Sequence, residues 1–202
     1  MRILLLLAIA ILTVGCATNN QQWKAVEKTD PFNDSAPLLV TTGHYASGDS
    51  VVTRHMKLYL VVRKDEDKLS VGVMSGGRFP VPVGAVQIRV DDHNTWNISP
   101  SETPDYAIPD SNYWAGTSGY PQSDEVSKTQ AQMMENVSRA TSPFTLAGGE
   151  KAAEIIKQMA GGKKVIYRAT MIGQPSSTIG EASIDQSFID SLSKIGINPS
   201  NL

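Results

Sequence analysis

Cysteine is nearly absent from this chain: its 202 residues contain one, Cys16. A lone thiol can form no internal disulfide and cannot build the multi-thiolate site of a zinc finger, so the fold must stand on packing alone. Histidine is scarce as well. His44, His55 and His93 lie far apart, with no metal-ligand spacing among them and no serine placed beside them as a nucleophile elbow would require. Basic clusters are missing too, and 18 Lys+Arg against 20 Asp+Glu leave a formal charge of -2, which argues against a nucleic-acid partner. No internal repeat is visible, and nothing calls for a metal or another cofactor.

What the chain does have begins at its first residues. Met1 and Arg2 precede an unbroken apolar run, Ile3 to Leu12, which leads into Thr13-Val14-Gly15-Cys16. One basic residue, a short apolar core and a small residue before the cut describe a secretory signal, too short to span a hydrocarbon core of ~30 Å. With Gly15 followed by Cys16, the segment resembles a bacterial lipobox, in which the cysteine is acylated and becomes the new N-terminus; Thr13 stands where leucine is commonest. An unpaired thiol in an exported protein then has a chemical explanation. Several acyl chains on one residue give stable anchoring, because each buried methylene contributes about 0.8 kcal/mol and one chain alone is marginal. Ala17, in place of an aspartate, implies by that resemblance an outer-membrane anchor facing the periplasm. Losing Arg2 with the leader takes Lys+Arg from 18 to 17 and the formal charge from -2 to -3.

The expected organisation is a signal peptide over 1–15, a polar tether over 16–26 and one domain over 27–202. Leu38 to Thr42 reads as a strand. Leu58, Leu60 and Val62 alternate with Tyr59, Val61 and Arg63, and after the charged stretch Lys64 to Lys68 the pattern resumes in Leu69, Val71 and Val73, which predicts a hairpin. Pro80 and Pro82 exclude a central strand between Phe79 and Val83. Ala85 to Val90 and Thr95 to Ile98 flank Asp91-Asp92-His93-Asn94 as a second hairpin. Helical spacing links Val126, Gln130, Met133, Val137 and Ala140, and again Ala152, Ile155, Ile156 and Met159. Strands follow over Lys163 to Met171 and Thr178 to Ile184, with a closing helix from Gln186 to Ile195. The fold class is therefore mainly β with minor α, an antiparallel β-sandwich with two or three short helices.

Between Ser99 and Gln122 periodicity disappears, and four prolines stand among Tyr106, Tyr113, Trp114 and Tyr120. A loop of that length with so many rings is either a binding surface or a crossover that covers a sheet edge. Ser75-Gly76-Gly77-Arg78-Phe79 offers backbone access, charge and apolar area together. It resembles the serine-glycine loop that vertebrate-type lysozyme inhibitors insert into an active-site cleft, although that family's disulfide framework has no counterpart here. Candidate partner contacts are thus Tyr106, Tyr113, Trp114, Tyr120, Arg78 and Phe79. Asp91, Asp92 and His93 form the best catalytic-looking cluster, with a plain turn as the alternative, because Asp and Asn suit hairpin tips. Asp65-Glu66-Asp67 lacks the spacing of a calcium loop and reads as solvated.

The order of these elements, from Lys28-x-Asp30-Pro31-Phe32 through the Ser-Gly-Gly hairpin, Arg89-Val90-Asp91-Asp92, Gly162-Lys163-Lys164 and Ser183-Ile184-Asp185-x-x-Phe188-Ile189-x-x-Leu192, is similar to the invasion-associated locus B type of exported domain. That resemblance implies a β-sandwich with small helices and supplies no catalytic residues. The expected function is that of a non-enzymatic lipoprotein, held to the membrane through lipid on Cys16 and binding an envelope protein, a glycan or a lysozyme-like enzyme. A hydrolase using Asp91, Asp92 and His93 is the alternative. Cys16→Ser should leave the precursor uncleaved by the lipoprotein peptidase and unlabelled by radioactive fatty acid; unchanged labelling would rule out the anchor.

Overall fold

A computed structural model describes residues 23–27, 37–42, 57–76, 81–108, 124–170, 177 and 179–202. The leader, Cys16, Arg78, Phe79, Tyr113, Trp114 and Tyr120 lie outside the described residues. The strands are β1 (Trp23–Glu27), β2 (Leu38–Thr42), β3 (Lys57–Asp65), β4 (Lys68–Gly76), β5 (Ala85–Val90), β6 (Trp96–Ile98), β7 (Phe144–Gly148), β8 (Lys164–Thr170) and β9 (Gly180–Ser183). The helices are α1 (Asp124–Thr141), α2 (Gly149–Gly161) and α3 (Gln186–Lys194). Strands β1-β2-β3-β4-β7 form one sheet and β6-β5-β8-β9 the other, and every pairing is antiparallel. The expected β-sandwich is the fold observed.

The two hairpins sit where alternation placed them. In the first, Asp65 pairs with Lys68, so the charged stretch tightens to a two-residue turn at Glu66 and Asp67. In the second, Val86, Gln87 and Ile88 pair with Ile98, Asn97 and Trp96. The four-stranded sheet shows period-two burial, with Val86, Ile88, Val90, Val165, Tyr167 and Ala169 turned inward. Their inner face meets Leu60, Val62, Val71 and Val73 of the larger sheet in one core. Helix α2 adds Ala152, Ile155, Ile156 and Met159, an i, i+3, i+4, i+7 stripe that closes the end of that core.

Three elements depart from the sequence expectation. Part of the span expected as tether is strand, because Trp23 already opens β1 and is 2 % exposed. Its indole N–H donates to the Ser183 carbonyl at 2.8 Å, its backbone N–H donates to the Ser187 hydroxyl, and its ring stands 4.7 Å from that of Phe188 on α3. A polar approach hid the strand, since Trp23 and its partners are brought together only by the tertiary fold. Strand β7 is an addition. It is five residues long and buried on both faces, so it shows no alternation, and it pairs with β4 where Gly72 leaves the room. A Cβ on Gly72 would lie 2.0 Å from the Thr145 carbonyl oxygen. Immediately after β7, Gly149 takes φ +58 and lets the chain turn directly into α2. Helix α1 forms as its spacing indicates, but its apolar stripe is not buried: Met133 is 65 % and Val137 55 % exposed.

A second hydrogen bond between the sheets, besides that of the Trp23 indole, lies at Tyr167. The Tyr167 hydroxyl of β8 donates to the Leu58 carbonyl of β3 at 2.9 Å, and burial, with Tyr59 as a lesser cause, pushes its pKa up to about 12. An unfolded tyrosine ionises near pH 10. Between those values the unfolded chain releases a proton that the folded one retains, so stability that is complete below pH 10 is lost as pH rises toward 12. Tyr167→Phe should cost about 1 kcal/mol at neutral pH, the value of one hydrogen bond, and flatten the fall of stability between pH 10 and 12 in denaturant titrations. An unchanged slope would place the alkaline sensitivity elsewhere.

Candidate functional site

The segment from Ser99 to Ile108 is a strap laid against the free edge of β7. It contains two single-turn 3-10 helices, Pro100–Glu102 and Asp105–Ala107, as expected where prolines alternate with acidic and small residues. At the edge itself, the Leu146 backbone N–H donates to the Thr103 hydroxyl at 3.2 Å, and Thr103 is fully buried. An exposed edge strand invites pairing with another chain, and the strap occupies that position with a side chain.

Two arginines hold the strap, one from β3 and one from α1. Arg63, on the outward face of β3, donates to the Tyr106 carbonyl at 2.9 Å and to the Asp65 carboxylate at 2.8 Å. Its other terminal nitrogen reaches the Ala107 carbonyl at 3.5 Å. Arg139, near the end of α1, donates to the Thr103 carbonyl, to the Asp105 carboxylate and, at 2.8 Å, to Glu135 one helical turn earlier. Tyr106 and Ala107 are thereby pressed onto a second apolar cluster, Leu39, Tyr59, Val61, Met74, Phe144 and Leu146, on the outer face of the five-stranded sheet.

An open groove of about 490 Å³ runs beside the strap, lined by Tyr106, Pro104, Glu102, Lys68 and Lys151 with the backbone of Gly148 and Gly149 as its floor. Tyr106 is half-buried, its hydroxyl donates to the Leu69 carbonyl at 3.2 Å, and the Lys68 ammonium sits 5.3 Å from its ring centroid. Burial raises the Tyr106 pKa, with the Ser70 hydroxyl and the Arg63 charge acting against it. On the other wall, Lys151 bridges the Glu102 carboxylate at 2.5 Å and the Asn97 carbonyl at 2.6 Å. Burial by itself would push the Glu102 pKa up, but Lys151 and the Ser99 amide outweigh it and hold the carboxyl below its usual value. The groove thus offers a ring, a proline, bare backbone and both signs of charge.

Among the candidate residues, the structure describes Tyr106 and the Asp91, Asp92, His93 turn. Asp91 adopts φ 44, and its two carboxylate oxygens accept from the backbone N–H groups of Lys163 at 3.0 Å and Lys164 at 2.9 Å. That carboxylate stitches the hairpin tip to the start of β8. Asp92 and His93 are exposed, and among the described residues no three His, Cys, Asp or Glu side chains converge as metal ligands. Lys68, Glu102, Pro104 and Lys151 were not singled out by the sequence. Glu102 had a visible cue in the Ser99-x-x-Glu102 spacing of a capping box, and the others had none, because they meet only when β4, β7 and α2 are assembled. Compared with protein-family models, with curated proteins and with solved structures, the chain gives no match.

Arg63 is the group whose loss should be felt most at this site. Arg63→Ala leaves a carboxylate and two carbonyls without their donor and is expected to destabilise the domain by about 3 kcal/mol, as breaking a buried pair does. Hydrogen exchange at Ala107 and Ile108, whose amides close the second 3-10 turn, should accelerate beyond the global change. Exchange that follows global stability alone would show that the strap does not depend on Arg63.

Proposed function

We propose that this chain is a lipid-anchored, non-enzymatic binding module of the bacterial envelope, facing the periplasm from the outer membrane and holding an envelope glycan in the groove beside the strap. The anchor rests on the apolar leader that ends in Gly15-Cys16. The resemblance to exported domains of the invasion-associated locus B type agrees with that placement. The observation that carries the binding reading is the composition of the groove. An aromatic ring and a proline offer apolar faces to sugar rings, while Lys68, Lys151, Glu102 and open glycine backbone supply donors and acceptors around them. Tyr113, Trp114 and Tyr120 follow the strap in sequence and are proposed to extend this surface, with Arg78 and Phe79 as further partner contacts.

A hydrolytic role for Asp91, Asp92 and His93 is not favoured, because the Asp91 carboxylate is engaged by two backbone amides. The test is a calorimetric titration of the lipid-free domain, residues 17–202, with solubilised cell-wall glycan fragments. Lys68 is exposed and touches the groove from its rim, so Lys68→Ser should leave the melting temperature unchanged and weaken binding at least tenfold, about 1.4 kcal/mol. Binding that is unaffected by the substitution would move the site away from the groove. Absence of glycan binding, with an envelope protein retained instead, would replace the glycan by a protein partner.

A further inference from the structure

The outer face of the four-stranded sheet carries a second arrangement, which does not depend on the groove beside the strap. Register places Asn97, Gln87 and Arg168 side by side across β6, β5 and β8, and sets Arg89 opposite Ile166 in the next row. The first row is hydrogen-bonded throughout. The Gln87 amide N–H donates to Asn97 Oδ1 at 2.8 Å, and Arg168 Nε donates to Gln87 Oε1 at 2.7 Å. A guanidinium held through Nε presents its two terminal nitrogens outward in a fixed fork, the geometry that matches a planar carboxylate. Arg89 and Arg168 are both exposed, and among the described residues neither has a carboxylate within ion-pair distance. The nearby Glu181, opposite Ile166, is itself paired with Lys164 at 3.6 Å.

Apolar surface adjoins these charges. Ile166 and Ile179 line the same depression of about 250 Å³ as Arg89 and Arg168, and Ile179 is 63 % exposed, unusual for a large aliphatic side chain. Two cations without a carboxylate partner among the described residues, beside the exposed Ile179 and the half-buried Ile166, suit a small anion joined directly to an apolar group. We infer that this face binds the free C-terminal carboxylate of a peptide whose last side chain is apolar, with Arg168 and Arg89 on the carboxylate and Ile166 and Ile179 under the side chain. The volume fits one terminal residue and its neighbour rather than a folded domain. Gln87 is a positioning residue in this arrangement, acting through Arg168.

The experiment titrates the lipid-free domain, residues 17–202, with N-acetyl-Ala-Leu carrying a free carboxylate, followed by amide chemical shifts. Shifts should concentrate at Gln87, Arg89, Ile166, Arg168 and Ile179, and the C-terminal amide of the same peptide should bind at least tenfold more weakly. Arg168→Gln should reduce affinity at least tenfold without altering the melting curve. Arg168→Lys, which keeps the charge and loses the fork, should not restore it, and Gln87→Leu, which keeps Arg168 but frees it, should weaken binding severalfold. Equal binding of acid and amide, or binding unaffected by Arg168→Gln, would overturn the assignment. So would inorganic phosphate competing as well as the peptide, since that result would describe a general anion patch with no use for the isoleucines.

Discussion

Strands β3 and β4 carry apolar side chains on both faces, so neither face of the five-stranded sheet can be left to water. The inner face is covered by the second sheet and by helices α2 and α3, which together form the main core. The outer face, with Leu39, Tyr59, Val61, Met74 and Leu146, has no third layer of regular structure among the described residues to cover it. Tyr106 and Ala107 of the strap lie there instead, and a strap of irregular backbone needs partners for its carbonyls wherever it is buried. Arg63 supplies them from within the sheet, and Arg139 from α1. A buried guanidinium is a poor source of net stability, because desolvation offsets most of what its contacts contribute. Its value lies in position: the two terminal nitrogens of a rigid plane, set on the Tyr106 and Ala107 carbonyls, fix where the strap runs, and the groove beside Tyr106 exists because the strap runs there.

The exposed stripe on α1 follows from the same arrangement. The helix docks through the polar end that carries Arg139, whose contacts run to Ser101, Thr103 and Asp105. Its Met133 and Val137 side chains are therefore not used in holding it. Amphipathic spacing identified a helix correctly and said nothing of which face would dock.

Legibility in the sequence divides along the same physical line. Elements with one face in water announced themselves: β5 and β8 by alternation, α2 and α3 by a stripe, both hairpins by the polar turns between matched strands. Elements buried on both sides did not. Phe144 to Gly148 has no period to detect, and its identity as a strand rests on Gly72 in a partner more than seventy residues away. The site was legible only in outline, in that a long proline-rich and aromatic segment marked the strap as worth attention. That Tyr106 would be pinned by Arg63, and that Lys68 and Lys151 would flank it, depended on tertiary contacts for which no local residue pattern exists. The Asp91 turn was legible as geometry, and its second task, capturing the amides of Lys163 and Lys164, was not.

The N-terminal strand connects this architecture to the proposed anchor. β1 is an edge strand, bonded on one side to β2, and an edge strand is the element most easily peeled from a sheet. A tether from Cys16 would deliver any pull on the domain to this strand first. Its leading residue is held by more than the ladder. The Trp23 backbone N–H and carbonyl bond to the hydroxyls of Ser187 and Ser191, its indole bonds to the end of β9, and its ring packs on Phe188. Three of those four partners belong to α3, whose own start is capped by the Asp185 carboxylate on the Ser187 amide. In a chain with no disulfide to close it, β1 and α3 close each other, and the residue nearest the proposed tether is itself buried in the main core.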